Sequence, residues 1–394
     1  MAGISAGVAL HHLGVDVAIY ERAGDELASR GAGIATHDGL YEALTGAGVH
    51  LRDEMGIRSM GRLMLDSHGA EVERVDVPQV MTSWGLMYRF LRAQIPDHCY
   101  HNNYVLCDLV QDADRIVARF QNGEEATADW LIGADGTRST VRRLVAPEVA
   151  INYCGSFGWR GLIDENLIAA PVLGELAHRM TLCLATGGHW LGYLVAGLND
   201  DLRPGHRLYN WGWYRTADEA KLKDHQTDAT GLYHEQGIPH SLIRPELVAA
   251  MQAEARAFLG PQPQTVVGAT HQPFIQGMFD LGCEHLVYDR VCLVGDAAIT
   301  ARPHIGLGVS KAIEDATSLA IALAAQNPGA ALAQWEKSRL RYGLAALAFS
   351  RDLGSYIGPT PVTPEHRAKA EYHQRPEIFL NANAPIDPQR WLKL

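Results

Sequence analysis

The segment Gly295–Ala316, GDAAITARPHIGLGVSKAIEDA, constrains the fold of this chain more than any other. It follows DRVCLV, an apolar run that reads as a buried strand. Such a strand, ended by Gly295 and Asp296, delivers one carboxylate to a polyol. Pro303 stiffens the loop that follows. Gly306 and Gly308 let the backbone pass close to a flat ring, because neither carries a Cβ. A helix is then predicted to begin near Val309 or Ser310, with its positive end aimed at that ring. An ordinary strand–helix connection requires no such succession of Gly-Asp, Pro, Gly-x-Gly and Glu-Asp.

Gly133–Arg142, GADGTRSTVR, repeats the theme more weakly. An Asp-Gly turn at a strand end places Asp135 and the unhindered backbone of Gly136 near a phosphate or ribose. Ser139 and Arg142 follow at helical spacing. A capped helix start accounts for Ser139 but not for the whole string. The third signal is AGISAG at Ala2–Gly7. In a dinucleotide fold the last glycine of GxGxxG lets a helix pack closely on its strand. An acid ending the second strand then binds a ribose hydroxyl. Gly3 and Glu21 are the candidates for those roles. The first two glycines and the strand that should carry them are missing, so the chain is expected to open inside a helix N-terminus.

With 394 residues the chain predicts two packed domains, or one domain with large insertions. AGISAGVALHHLG reads as a helix ending at Gly14, and VDVAIYE as a buried strand ending at Glu21. Mixed elements follow, including a hairpin over residues 61–80. From about residue 151 the segments GWRGLI, MTLCLA, HWLGYLVAG and RLYNWGWYR read as an antiparallel sheet. Trp159, Trp190, Trp211 and Trp213 lie in it, either as a wall for a flat ligand or as ordinary sheet packing. The chain then returns to strand and helix, and its polar, Pro-containing tail from Gly358 is expected to wrap the surface. The predicted fold is α/β: a Rossmann-like domain (1–150 and 275–330), interrupted by an antiparallel-sheet substrate domain (151–274) and followed by C-terminal helices and tail (331–394). Residues 61–80 are a possible addition to the substrate sheet.

The net charge of −11 argues against a nucleic-acid partner and an anionic membrane surface, because both repel an acidic protein. No apolar run approaches the roughly 18 residues of a membrane span. The N-terminus lacks a basic start, and His11, His12 and Asp16 interrupt its apolar stretch, so it does not read as a signal peptide. The cysteines form no CxxC pair and the histidines no HExxH, so no metal is expected. Free thiols and a cytoplasmic location are the expectation.

Together the three strings resemble the class A flavoprotein aromatic hydroxylases, the para-hydroxybenzoate hydroxylase type, over about residues 1–330. The resemblance implies FAD as cofactor, NADH or NADPH as reductant, O2 as co-substrate and a homodimer. It implies hydroxylation of a small hydroxylated aromatic ring through a flavin hydroperoxide. It assigns Asp296 to the ribityl chain and Pro303 to the substrate side of the flavin. The amides of Val309 and Ser310 would face the pyrimidine end of the ring, and Asp135 and Gly136 would serve FAD and the nicotinamide. GWRG at Gly158–Gly161, Gly188-His189 leading to Tyr193, Trp213-Tyr214 and Arg302-Pro303-His304 resemble members that act on hydroxypyridines. A hydroxypyridine is therefore the expected substrate, with a salicylate- or phenol-type ring as the alternative.

The chain departs from the family pattern at Ile299, where His is frequent, and at Ser310, where Asn is frequent. Tyr88 replaces a usual FAD-contacting Arg ahead of Leu91. The missing first strand keeps open a reading of another class: a truncated, non-catalytic flavoprotein fold that binds a ligand or partner. On the substrate side, His304 is the first candidate to position or deprotonate the ring hydroxyl, because it follows Pro303. Tyr193 and His189 come next. A loop hydrogen bond for His304 and a core position for Tyr193 are the plain alternatives. Arg302 or Arg160 would hold an anionic substrate, Arg160 being equally a structural ion pair.

Overall fold

The computed structural model describes residues 1–24, 32–52, 54–185, 187–235, 237–357 and 363–382. Its largest element is an eight-stranded sheet. In spatial order the strands are Ile299–Thr300, Phe274–Gly282, Asn152–Asp164, Leu208–Thr216, Gly188–Val195, Met180–Ala185, Arg62–Leu65 and Glu71–Val75. Neighbours run antiparallel except Met180–Ala185, which pairs in parallel with Arg62–Leu65.

Side chains alternate across such a sheet with a period of two, and that period sorts the aromatic residues. The register sets Trp159 opposite Trp213, and Trp213 opposite Trp190. These rings, with Phe157, Tyr209 and Trp211, all lie on one face. They pack under helices Ala170–Leu176, Pro245–Phe258 and Pro261–Gly268 through Leu176, Met251, Ala255, Val266 and Val267. The tryptophans are therefore core, and the wall for a flat ligand is not built from them. The opposite face carries Leu182, His189, Leu191, Tyr193, Asn210, Tyr214 and Met278.

A separate three-stranded sheet has its own core. Val291–Leu293 is completely buried between Leu131–Gly133, in parallel, and Val287–Tyr288, antiparallel. Helix Ala2–His12 packs on helix Gly308–Leu323 through Ala9, Leu10 and Ala320. Its chain turns at Gly14, whose φ of 75° is open to glycine. The strand after it is shorter and less buried than its apolar run predicts. Among the described residues only Ile19–Glu21 of it pairs, in parallel with Tyr100–Asn102, and its other edge meets no strand.

Helix Pro328–Leu353 starts with proline in its first turn, capped by Asn327, which accepts from the Ala330 amide at 3.3 Å. Helices Pro364–His373 and Pro376–Ala382 follow. This part of the tail does not merely wrap the surface. Phe379 and Leu380 are completely buried against the second face of the sheet, because with Ile378 they form the apolar run in an otherwise polar stretch. The rest of the tail, 358–362 and 383–394, lies outside the described residues. Among the described residues no helix is long and apolar enough to cross a membrane.

Candidate active site

The buried strand Val291–Leu293 leads into Gly295, where φ is 61°. A Cβ there would stand 3.0 Å from the Ala2 Cβ and 3.3 Å from the Ala312 Cβ. Glycine is thus required twice, by the dihedral and by the squeeze between two helices. Helices Ala2–His12 and Gly308–Leu323 both begin without a side-chain cap. Ala2 and Ala312, one from each helix, flank the turn that carries Asp296, so the uncapped first turns lie near it. Asp296 is reached by solvent, yet protein atoms crowd it, as at the floor of a cleft. Burial pushes its carboxyl upward, Lys311 and the chain's amino group pull it down, and Asp315 raises it again.

The turn is held from below. The Gly295 amide donates to Asp315 Oδ2 at 3.2 Å, and the Gly295 carbonyl accepts from Lys311 Nζ at 3.2 Å. Lys311 and Asp315 pair at 2.6 Å, and Arg339 Nε donates to Asp315 Oδ1 at 2.7 Å. Burial alone would raise the Asp315 carboxyl, but Lys311 and Arg339 outweigh it and hold it low. The Glu-Asp pair of the motif is thus in part a buried ion network under the turn.

Asp135 is engaged by its own helix. Its carboxylate accepts from the Ser139 hydroxyl, from the Thr140 amide at 2.6 Å and from the Val141 amide at 3.1 Å. Ser139 caps the same helix, accepting from the Arg142 amide at 2.8 Å. Gly136 sits at φ 80° with open space where a Cβ would be. Arg142, itself buried, staples the two turns. Nη1 donates to the Ala297 carbonyl at 2.9 Å and Nη2 to the Thr137 carbonyl at 2.6 Å.

Gly3 lies against the same region, 3.3 Å from Ala134 by its absent Cβ. The close helix–strand approach expected of Gly3 belongs instead to Gly7, whose Cβ would meet Ile19 at 2.4 Å. Glu21 ends its short strand and accepts from the Ala23 amide at 2.9 Å. Tyr88 donates from its hydroxyl to that of Tyr100 at 3.1 Å.

The loop after the Gly-Asp turn reaches the sheet. Gly306 takes φ 62° and releases the chain into helix Gly308–Leu323, so that Val309 and Ser310 stand in its first turn. The Ser310 hydroxyl is buried and has no partner among the described residues. His37 Nε2 is 3.1 Å from the Gly306 carbonyl. Pro303 and His304 form a short turn, and His304 is buried beside Tyr214 and His189, at ring separations of 5.3 and 6.1 Å. His189 Nδ1 is hydrogen-bonded to the Tyr356 hydroxyl at 2.8 Å. His189 Nε2 and His304 Nδ1 have no partner among the described residues. Burial, with Arg302 adding to it, pushes His304 down to about 3; burial and then His304 push His189 well below its ordinary value.

Tyr193 is buried, and burial holds its phenol protonated. It meets Gly33, where a Cβ would lie 2.7 Å from both Tyr193 and Asn210. The Gly33 amide donates to Asn210 Oδ1 at 2.8 Å. Arg302 is not free for an anion: Nε donates to the buried Asp280 at 2.9 Å, which also binds Arg351. Arg160 forms no ion pair among the described residues. It donates to Gln276 at 3.2 Å and to the Tyr214 hydroxyl at 3.4 Å. His37, Asn210 and Tyr356 are not singled out by sequence, because their partners lie far away in the chain and no motif carries them. Lys311 lies within the Gly295–Ala316 string, but nothing in its spacing marks it as the support of the turn.

These residues fit FAD. An acid stands open at a strand end, two uncapped helix ends lie near it, and Gly295 and Gly136 leave the backbone unhindered. Asp296, the Ala2 and Gly308 helix ends, Glu21 and Gly136 would hold it.

Residues 153–280 match the FAD binding domain-like family and residues 262–350 the FAD binding domain family. The 2,6-dihydroxypyridine 3-monooxygenase of Paenarthrobacter nicotinovorans is 31% identical over 361 residues, 91% of this chain and 89% of that protein. The solved structure of 2,6-dihydroxypyridine-3-hydroxylase from Arthrobacter nicotinovorans superposes with a TM-score of 0.85, at 28% identity, covering 93% of each chain. HpxO of Klebsiella pneumoniae, solved with FAD and uric acid, shares the fold with a TM-score of 0.73 at 21% identity, over 97% of this chain and 94% of that one. With the fold, the Gly-Asp turn and this coverage in agreement, the chain belongs to the FAD-dependent monooxygenases of aromatic rings.

Proposed function

We propose that this enzyme hydroxylates a hydroxypyridine, and that the ring binds alongside the Pro303–Gly306 turn where it meets the sheet face of His189, Tyr193 and Tyr214. The observation that carries the substrate class is the 31% identity to a dihydroxypyridine hydroxylase over nearly the whole chain. FAD, when bound and reduced by NADH or NADPH, supplies the oxygen activation. The protein's part is to bind and orient the ring, to exclude water and to take a proton.

Loss of that proton from a ring hydroxyl makes the adjacent carbon electron-rich. His189 suits this task. Tyr356 holds Nδ1, which fixes the ring and leaves Nε2 to accept. Burial keeps the imidazole neutral, so it begins as an acceptor. The imidazolium it forms would be compensated by the ring oxyanion beside it. Phe379, Tyr356 and Ile357 close the site against water. His304 supports from the flavin side, where burial likewise keeps it neutral.

His189→Gln should lower kcat by about a hundredfold, the lower end for losing a positioned base, with FAD content unchanged. Tyr356→Phe should lower it less, since Nε2 remains. Unchanged kcat in His189→Gln would remove His189 from the chemistry.

A further inference from the structure

Arg62 opens the strand Arg62–Leu65 and is 1% exposed. Alternation places it on the face of Met64, which packs with Leu182, Leu191, Tyr193 and Tyr214. Its cross-strand neighbour Met180 belongs to the same face. The guanidinium therefore lies on the substrate side of the sheet, away from the tryptophan layer. Its Nη2 donates to Gln79 Oε1 at 2.7 Å. Nε and Nη1 are buried and have no partner among the described residues, nor does any described carboxylate pair with Arg62. Burial alone pulls the group down to about 9, and no acid pulls it back.

The side chain is not loosely placed. Gln79 is fixed in turn, Nε2 donating to the Thr36 carbonyl at 2.6 Å. The next residue, His37, reaches the Gly306 carbonyl at 3.1 Å. Burial keeps His37 neutral first, and the charge of Arg62 adds to that, against the pull of the Gly306 carbonyl and Asp38. Arg62, Gln79, Thr36, His37 and Gly306 thus form one connected path from the guanidinium to the turn assigned to the flavin. A buried cation without a counter-charge is costly, and removing it is normally stabilising. The other two arginines near the ring are committed, Arg302 to Asp280 and Arg160 to Gln276 and Tyr214.

We propose that Arg62 is the counter-ion for a negatively charged oxygen of the aromatic substrate, received by its free Nε and Nη1 hydrogens. The oxygen belongs either to an ionised ring hydroxyl or to a ring carboxylate. This inference rests on the hydroxylase reading of the same site and adds the group that selects charged rings over neutral ones.

The test uses the FAD-loaded enzyme with Arg62→Met and Arg62→Lys. Dissociation constants are measured by flavin-spectrum titration for 2,6-dihydroxypyridine, salicylate and the non-ionisable 2,6-dimethoxypyridine. Arg62→Met should bind at least one anionic ring about a hundredfold more weakly, while dimethoxypyridine changes by less than about threefold. Whichever of dihydroxypyridine and salicylate loses more identifies the oxygen as ring oxyanion or carboxylate. Arg62→Lys should fall between, because it keeps the charge but loses the planar donors. Thermal unfolding of the ligand-free Arg62→Met protein should match or exceed wild type. If Arg62→Met does not fold, the Arg62→Lys titration decides. Anionic rings bound within about threefold of wild type, or a wild type that binds neither, would overturn the proposal. A wild type that binds the rings but never hydroxylates them would instead overturn the hydroxylase reading.

Discussion

His304→Gln tests whether the histidines that line the site are held neutral by burial. His189 and His304 are 1% and 3% exposed, and both are depressed, His304 to about 3. In the unfolded chain a histidine titrates near 6.5. Below that pH the unfolded state binds a proton that the folded state refuses, so stability falls as the pH falls. The window runs from 6.5 down to the folded value, about 3 for His304. At pH 5 the unfolded histidine sits about 1.5 units above the ambient pH. One histidine therefore costs about 2 kcal/mol between pH 7 and pH 5. Urea unfolding of wild type and His304→Gln at both pH values isolates this contribution. The acid-induced loss should be smaller in the variant by about 2 kcal/mol. His37, His225 and His373 are depressed in both proteins and cancel in the difference. Packing lost by the substitution shifts both pH values alike. An identical acid-induced loss in the two proteins would show that His304 is solvated or paired, and would refute the reasoning.

Asp296→Ala should weaken FAD at least about tenfold, read as flavin retained through gel filtration, since a charged hydrogen-bond partner at the strand end is lost; full retention would contradict the Gly-Asp assignment. Arg142→Ala should unfold at lower urea, by about 2–4 kcal/mol, because the Ala297 and Thr137 carbonyls lose charged donors. Stability within 0.5 kcal/mol of wild type, about the scatter of neutral surface changes, would mean that the staple is not formed.

The parts of the site that were legible in the sequence are those where backbone conformation demands a residue type. Gly295, Gly136 and Gly306 all take left-handed φ, and each falls where its motif expects a turn. The antiparallel sheet was legible from its strand composition, but its faces were not. GWRG and WGWY put tryptophans and glycines in one string, and only the pairing of Trp159 with Trp213 reveals that the rings point away from the site. The buried Phe379 and Leu380 were hidden because the short apolar run Ile378-Phe379-Leu380 carries no period. Arg302 looked available because its partner, Asp280, is brought to it by the adjacent strand pairing of Leu281 with Thr300. Arg62 was invisible for the opposite reason. A basic residue at the head of RLML reads as a solvated strand end, and only the tertiary structure shows it buried with free donors.

The most direct test of the account is turnover of 2,6-dihydroxypyridine by the FAD-loaded protein under 18O2, with NADH or NADPH, followed by mass spectrometry of the product. The account predicts a ring product carrying one 18O atom, formed in step with the nicotinamide oxidised. Nicotinamide oxidation that yields only hydrogen peroxide, with no labelled ring product from any hydroxylated pyridine, salicylate or phenol, would contradict it.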